Sequence, residues 1–262
     1  MVGQAKQKKI ALKQMVAHEP RCIYCTAPPS TIEHMPPITF FRGRLRPKGM
    51  EFAACQECND GTRGADVVAS FFARMDRQGD NQLISEAMNN RQMLQMRAPG
   101  VLDELFNPQK EDRVWVKRNG ILQEMARIKA DGPVTRIHLH VFAAKFGMAL
   151  YRHHIGEALP PEGGVQTNVF MNAGLAQNSA EHMLKILPAF NSLQQGKFWP
   201  TDQFAYRYNS DGKMIVAALA SFHANLHLFV IATSQIQMFR LPLYPDSELI
   251  HTGELVTRLK AA

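Results

Sequence analysis

Cys22-Ile-Tyr-Cys25, Thr31-Ile32-Glu33-His34-Met35-Pro36-Pro37 and Cys55-Gln-Glu-Cys58-Asn59 decide how the N-terminal part of this chain folds. All four cysteines of the 262 residues lie in the two Cys-x-x-Cys pairs. Paired knuckles of this spacing present four thiolates to one tetrahedral ion, and Zn²⁺ is the usual occupant. A disulfide framework would need an oxidising compartment, and a redox Cys-x-x-Cys would sit between a strand and a helix of a βαβ unit, a setting evident for neither pair. A structural zinc held by Cys22, Cys25, Cys55 and Cys58 is the expectation. The 29 residues between the pairs exceed the roughly 15–20 of a plain zinc ribbon, so a functional insertion is expected there.

Charge is concentrated in the same region. Residues 1–48 carry nine basic and two acidic side chains, whereas the rest of the chain carries 21 of each, so the net charge of +7 belongs to the N-terminal fifth. Such asymmetry suits a polyanion, because each Lys or Arg that neutralises a phosphate releases condensed counterions. Nucleic acid is the leading partner class; a solvated helical face over Lys6–Lys13 is the bland reading of that segment. Arg42, Arg44 and Arg46 alternate, so an extended strand would aim them one way, with Lys48 continuing the row. Phe40 and Phe41 before them read as core more readily than as base-stacking wedges. Arg63, four positions after Asn59, is a candidate phosphate clamp.

A carboxylate and an imidazole adjacent in sequence can divide the work at a phosphodiester, one holding a divalent ion and the other polarising water. Asn59 can add a neutral oxygen ligand. Cys-x-x-Cys, Glu-His-x-x-Pro and Cys-x-x-Cys-Asn together resemble the zinc-stapled branch of the HNH endonucleases, over about residues 20–66. The resemblance implies a ββα-metal fold that cuts nucleic acid, DNA ahead of RNA. It further implies His34 as general base, Glu33 and Asn59 as ligands of a catalytic Mg²⁺ or Mn²⁺, and a separate structural zinc. Where the family has a second Asn that orients the imidazole, this chain has Met50 with Glu51 beside it. A thioether is a poor acceptor, which leaves a backbone carbonyl or the Glu51 carboxylate to hold His34.

Beyond the second knuckle, Asp66 reads as the cap of a helix with Val67, Val68, Phe71, Phe72 and Met75 on one side. A second helix over Leu83–Met96 is stopped by Pro99-Gly100. Residues 113–128 read as a hairpin turning at Asn119-Gly120. Val134–His154 suits a buried helix. Phe204–Tyr208, Met214–Phe222 and Leu226–Thr233 read as an antiparallel meander, with Gln237–Leu241 a further strand. The paired histidines His138/His140 and His153/His154 lack the helical metal-site spacing and read as core or surface residues. The fold class is α+β: a basic segment (1–19), a zinc module (20–80) and an α+β domain carrying the meander (81–262).

The longest apolar run is broken by His223, Asn225 and His227, so no transmembrane helix is expected. The first twenty residues lack the features of a secretory signal, which places the protein in the cytoplasm. The functional expectation is metal-dependent phosphodiester hydrolysis. Its rivals are a zinc module that binds nucleic acid without cutting it, and an interaction protein braced by zinc.

Overall fold

The computed structural model describes residues 4–75, 85–88, 90–106, 112–118, 120–127, 130–171, 184–223, 225–239 and 246–261. Helices and antiparallel sheets are both present, as an α+β chain requires. Helix α1 (Gln4–His18) leads to the first knuckle. Strands β1 (Thr31–His34) and β2 (Glu51–Ala54) pair antiparallel, with Thr31 opposite Ala54 and His34 opposite Glu51. Two short helices follow the second knuckle directly, α2 (Gln56–Gly61) and α3 (Arg63–Ala73). The first of these is capped by the Cys55 sulfur, which accepts from the Cys58 N–H.

The chain between β1 and β2 is not extended. Residues 38–40 and 42–44 form 3₁₀ turns, with Gly43 and Arg44 both in the left-handed region at φ 59° and 60°. The segment is therefore not the extended strand on which Arg42, Arg44 and Arg46 would share a face: Arg44 and Arg46 border one cleft, while Arg42 pairs with Asp202.

Helices α4 (Arg91–Arg97) and α5 (Val101–Leu105) flank the left-handed Gly100. Residues 83, 84 and 89 of the expected Leu83–Met96 helix lie outside the described residues. Strands β3 (Asp112–Arg118) and β4 (Ile121–Arg127) form the expected hairpin; its turn residue Asn119 also lies outside the described residues. The long helix α6 (Pro133–Ile155) begins with Pro133 at its first position and ends on left-handed Gly156, a pairing of starter and stopper that the backbone chemistry of the two residues favours. Every residue from Leu139 to Tyr151 is buried, the mark of a helix covered on all sides.

One side of α6 packs on a six-stranded sheet of β5 (Gly164–Met171), β6 (Ala189–Asn191), β7 (Phe204–Ser210), β8 (Ile215–Phe222), β9 (Leu226–Thr233) and β10 (Glu248–His251). Their order is β10-β5-β9-β8-β7-β6. The meander β7-β8-β9 matches expectation; β5, β6 and β10 are additions, and Ile236–Met238 forms a 3₁₀ turn where the expected strand Gln237–Leu241 begins, residues 240 and 241 of which lie outside the described residues. Gly147 permits the close approach of helix and sheet, since a Cβ there would lie 2.5 Å from a Val165 methyl. The other side of α6 meets α3, and the terminal helix α7 (Leu255–Lys260) packs on α2 and α6.

One apolar core runs from the knuckles through α3 and α6 into the sheet. Phe40 and Phe41 belong to it: Phe40 stacks on Phe142 at 5.1 Å and meets Phe222 at 4.9 Å. None of the described helices is long and apolar enough to cross a membrane.

Candidate functional site

The four cysteine sulfurs lie within 4.8 Å of one another. Cys25 Sγ is 3.7 Å from Cys55 Sγ and 3.5 Å from Cys58 Sγ. A tetrahedral Zn²⁺ with bonds of about 2.3 Å would separate its sulfurs by about 3.8 Å, so the cluster has the dimensions of a four-thiolate metal site. Backbone N–H groups of Tyr24 and Cys58 donate to the Cys22 and Cys55 sulfurs at 3.4 Å, as befits thiolates that keep negative charge next to a cation. The group can hold a metal ion such as zinc.

About two residues along β1 lies a second buried cluster. Strand alternation turns Glu33 inward and leaves His34 exposed. Glu33 is 4% exposed, and its Oε1 lies 3.4 Å from Nζ of Lys145 in the middle of α6. The same ammonium donates to both carboxylate oxygens of Asp66 at 2.7 and 2.8 Å. Asp66 is thus not a helix cap: α3 begins at Arg63, and Asp66 sits one turn in with its carboxylate against α6. Lys145 is fully buried and also lies 5.6 Å from the centre of the Tyr24 ring, inside the first knuckle.

A charge this deep has to be paired, and here one cation serves two anions. Burial raises the Asp66 carboxyl, against the pull of Lys145. Burial pushes Glu33 up to about 7; Lys145 opposes the rise and Asp66 adds to it. For Lys145 burial favours discharge, but Asp66 and Glu33 outweigh it and the ammonium is held above its usual range. One ammonium against two carboxylates leaves the cluster short of positive charge, and Glu33 carries the deficit.

Asn59 completes the site from α2. Its Nδ2 donates to Thr31 Oγ1 at 3.0 Å and to the Ile32 carbonyl at 3.3 Å, so the network fixes the amide orientation and leaves Oδ1 as the outward acceptor. A carboxylate and an amide oxygen are hard donors, and the cation that stands beside Glu33 is the Lys145 ammonium at 3.4 Å. Glu51 stands opposite His34 on the paired strand, within the spacing at which facing side chains interact. Its carboxylate also lies 3.8 Å from Arg46 Nη1. Met50 instead turns the chain, with φ 50°, and its carbonyl accepts from Met35 N–H.

Glu33, His34, Asn59, Asp66 and Glu51 line one cleft of about 680 Å³, together with Arg44, Lys48, Arg63 and Arg97. Gly64 lets α3 lie against the Arg97 backbone, whose carbonyl would be 2.4 Å from a Cβ there. The other sequence-derived cations go elsewhere. Arg46 borders the cleft, but its guanidinium is buried and donates to the carbonyls of Met35, Pro36, Pro47 and Gly49 at 2.6–3.1 Å. It braces the turn, and burial lowers it only to about 10. Arg42 pairs with Asp202 at 3.1 Å and is not among the residues lining the cleft.

Lys145 was missed by sequence reading, although a signal existed: it is the one charged residue in the apolar run Val141–Tyr151. Arg97 carried no signal. His138 and His140 are satisfied core residues, bonded to the Val134 carbonyl and the Thr167 hydroxyl. No protein-family model matches this sequence, and no match was found among curated proteins or solved structures.

Proposed function

We propose that the protein is a zinc-braced, metal-dependent endonuclease of the HNH type. In this reading β1, β2 and α2 are its ββα-metal module. The observation that carries the reading is convergence: Glu33, His34 and Asn59, 26 positions apart at the extremes, border one cleft whose rim is basic. Arg44, Lys48, Arg63 and Arg97 are its phosphate contacts, and DNA is its substrate ahead of RNA. His34, exposed to the cleft and braced by Glu51, takes the proton of the attacking water. Glu33 and Asn59 hold Mg²⁺ or Mn²⁺, which when bound supplies Lewis-acid stabilisation of the charge that develops on the phosphate and its leaving oxygen. Lys145 keeps Glu33 aimed at that position from behind.

A second reading has two observations in its favour. Lys145 already supplies a cation to Glu33, and Met50 replaces the Asn that orients the imidazole in the family. A zinc-braced module that binds nucleic acid without cutting it would have both features.

Supercoiled plasmid separates the two. Zinc-loaded protein nicks it in the presence of Mg²⁺ or Mn²⁺ and not in EDTA concentrations that leave the zinc in place. Asn59→Ala and Glu33→Ala raise the Mg²⁺ concentration needed for half activity, because each deletes a ligand of a weakly held ion. Protein with verified zinc that binds the plasmid but never nicks it would replace the nuclease with the binding module.

A further inference from the structure

Three large aromatic side chains are half exposed at the β6 edge of the six-stranded sheet: Phe190 at 47%, Phe198 at 43% and Trp199 at 50%. The Phe190 and Trp199 rings meet edge to face with centroids 6.2 Å apart. Arg207, opposite Phe190 in the β6–β7 register, lies over the Phe190 ring at 5.8 Å. Rings that filled a core gap would be covered; Phe190 and Trp199 instead brace each other, with Arg207 over Phe190, while all three side chains stay about half exposed.

We infer that this surface is a stacking platform for single-stranded nucleic acid, an extension of the proposed nuclease cleft on which the inference rests. Base faces stack on exposed aromatics without regard to sequence, and interleaved cations follow the phosphates. The charge agrees: residues 184–208 contain Lys185, Lys197 and Arg207 against a single acid, Asp202, and Asp202 is engaged by Arg42. An acidic protein surface would satisfy the cations but would leave the ring faces without a planar partner. Position agrees as well. Leu193 lies close enough to Gly49, the neighbour of cleft-lining Lys48, that a Cβ there would be 3.2 Å from its side chain, and Gln203 accepts from the Arg42 backbone N–H at 2.7 Å. A strand leaving the cleft past Lys48 would reach the 193–199 stretch next.

The chain has two tryptophans, Trp115 and Trp199, so the full-length W115F variant reports on Trp199 alone. Titration with unlabelled oligothymidylate should quench its emission, saturating at the concentration at which anisotropy of a labelled oligothymidylate saturates. In a W115F background, Trp199→Ala should weaken oligothymidylate affinity on the order of tenfold, while Trp199→Phe keeps most of it. Binding by anisotropy with no change in Trp199 emission would overturn the platform and leave the cleft reading standing. No binding of either single- or double-stranded DNA would overturn the cleft reading as well. Sedimentation showing a dimer in which Trp199 is already shielded without oligonucleotide would make the surface an interface between copies and overturn the inference.

Discussion

The four-thiol cluster and the Glu33–Asp66–Lys145 cluster lie beside the same short hairpin and are assembled in opposite ways. The thiols come from two knuckles that flank β1 and β2, and their spacing can be read from the sequence. Lys145 arrives from a helix 79 positions beyond Asp66. The first cluster offers four sulfur donors spaced to hold a metal ion. The second carries its own cation, Lys145, shared between two carboxylates whose burial raises both. Tyr24 touches both, as a knuckle residue with its ring beside Lys145. The difference teaches that the hairpin is framed both by thiols close enough to hold a metal ion and by the central helix of the C-terminal half.

The largest expected effect breaks the thiol cluster. Cys25→Ser or Cys58→Ser should abolish zinc binding and unfold the hairpin region, because ion binding and local folding are one equilibrium in so small a unit. Elemental analysis together with thermal melting reads this directly; unchanged melting and no zinc in the wild-type protein would remove the metal from the account. Next comes Lys145→Met, which leaves two buried carboxylates facing each other and should cost about 3–5 kcal/mol in urea unfolding. The zinc content should survive, which distinguishes the two clusters. A loss under about 1 kcal/mol would mean that the carboxylates find water or each other's proton instead.

A pH effect sharpens the link between the halves. His223 Nε2–H donates to the Phe40 carbonyl at 2.7 Å, tying the sheet to the insertion between the knuckles. Burial holds this imidazole down to about 4 in spite of that bond. Below pH 6.5 the unfolded chain takes up a proton that the folded chain refuses, so stability should fall between pH 6.5 and about 4, by up to about 3 kcal/mol from this residue. His223→Asn should flatten that part of the stability profile relative to wild type. An equally steep profile would assign the loss to other buried histidines.

The smallest effect concerns the cations. Changing Arg44, Lys48 and Arg63 together to Gln should reduce the magnitude of the salt slope of DNA binding by about 2–3, near 0.9 for each phosphate that is no longer neutralised. Arg46→Gln should instead lower the melting temperature, because the carbonyls it serves are left without their donors. A salt slope that falls with Arg46 and not with the other three would reverse the assignment.

What could be read in advance follows the same division. The knuckles, the insertion, the buried helix α6 and the meander β7-β8-β9 all declare themselves through short-range spacing or periodicity. Strand β5 does not. Its residues Gly164–Asn168 are buried whichever way they face, so it lacks the alternation that marks a half-exposed strand, and its partners β9 and β10 lie about 60 and 80 positions away. Arg46 misled for a related reason. Alternation suggested a common face, but Gly43 and Arg44 adopt left-handed conformations that redirect the chain. Lys145 is identifiable as anomalous from its apolar neighbours, but its two partners become visible only in the folded chain.

The claim that the hairpin's exposed imidazole and inward carboxylate belong to one reaction is tested most directly at His34. Plasmid nicking by zinc-verified wild type and His34→Ala, measured at saturating Mg²⁺, should differ by roughly 10²–10⁴-fold in rate with DNA affinity nearly unchanged, since a general base acts on the water and not on the bound ground state. Equal rates for the two proteins would contradict the account and place any cleavage chemistry away from His34.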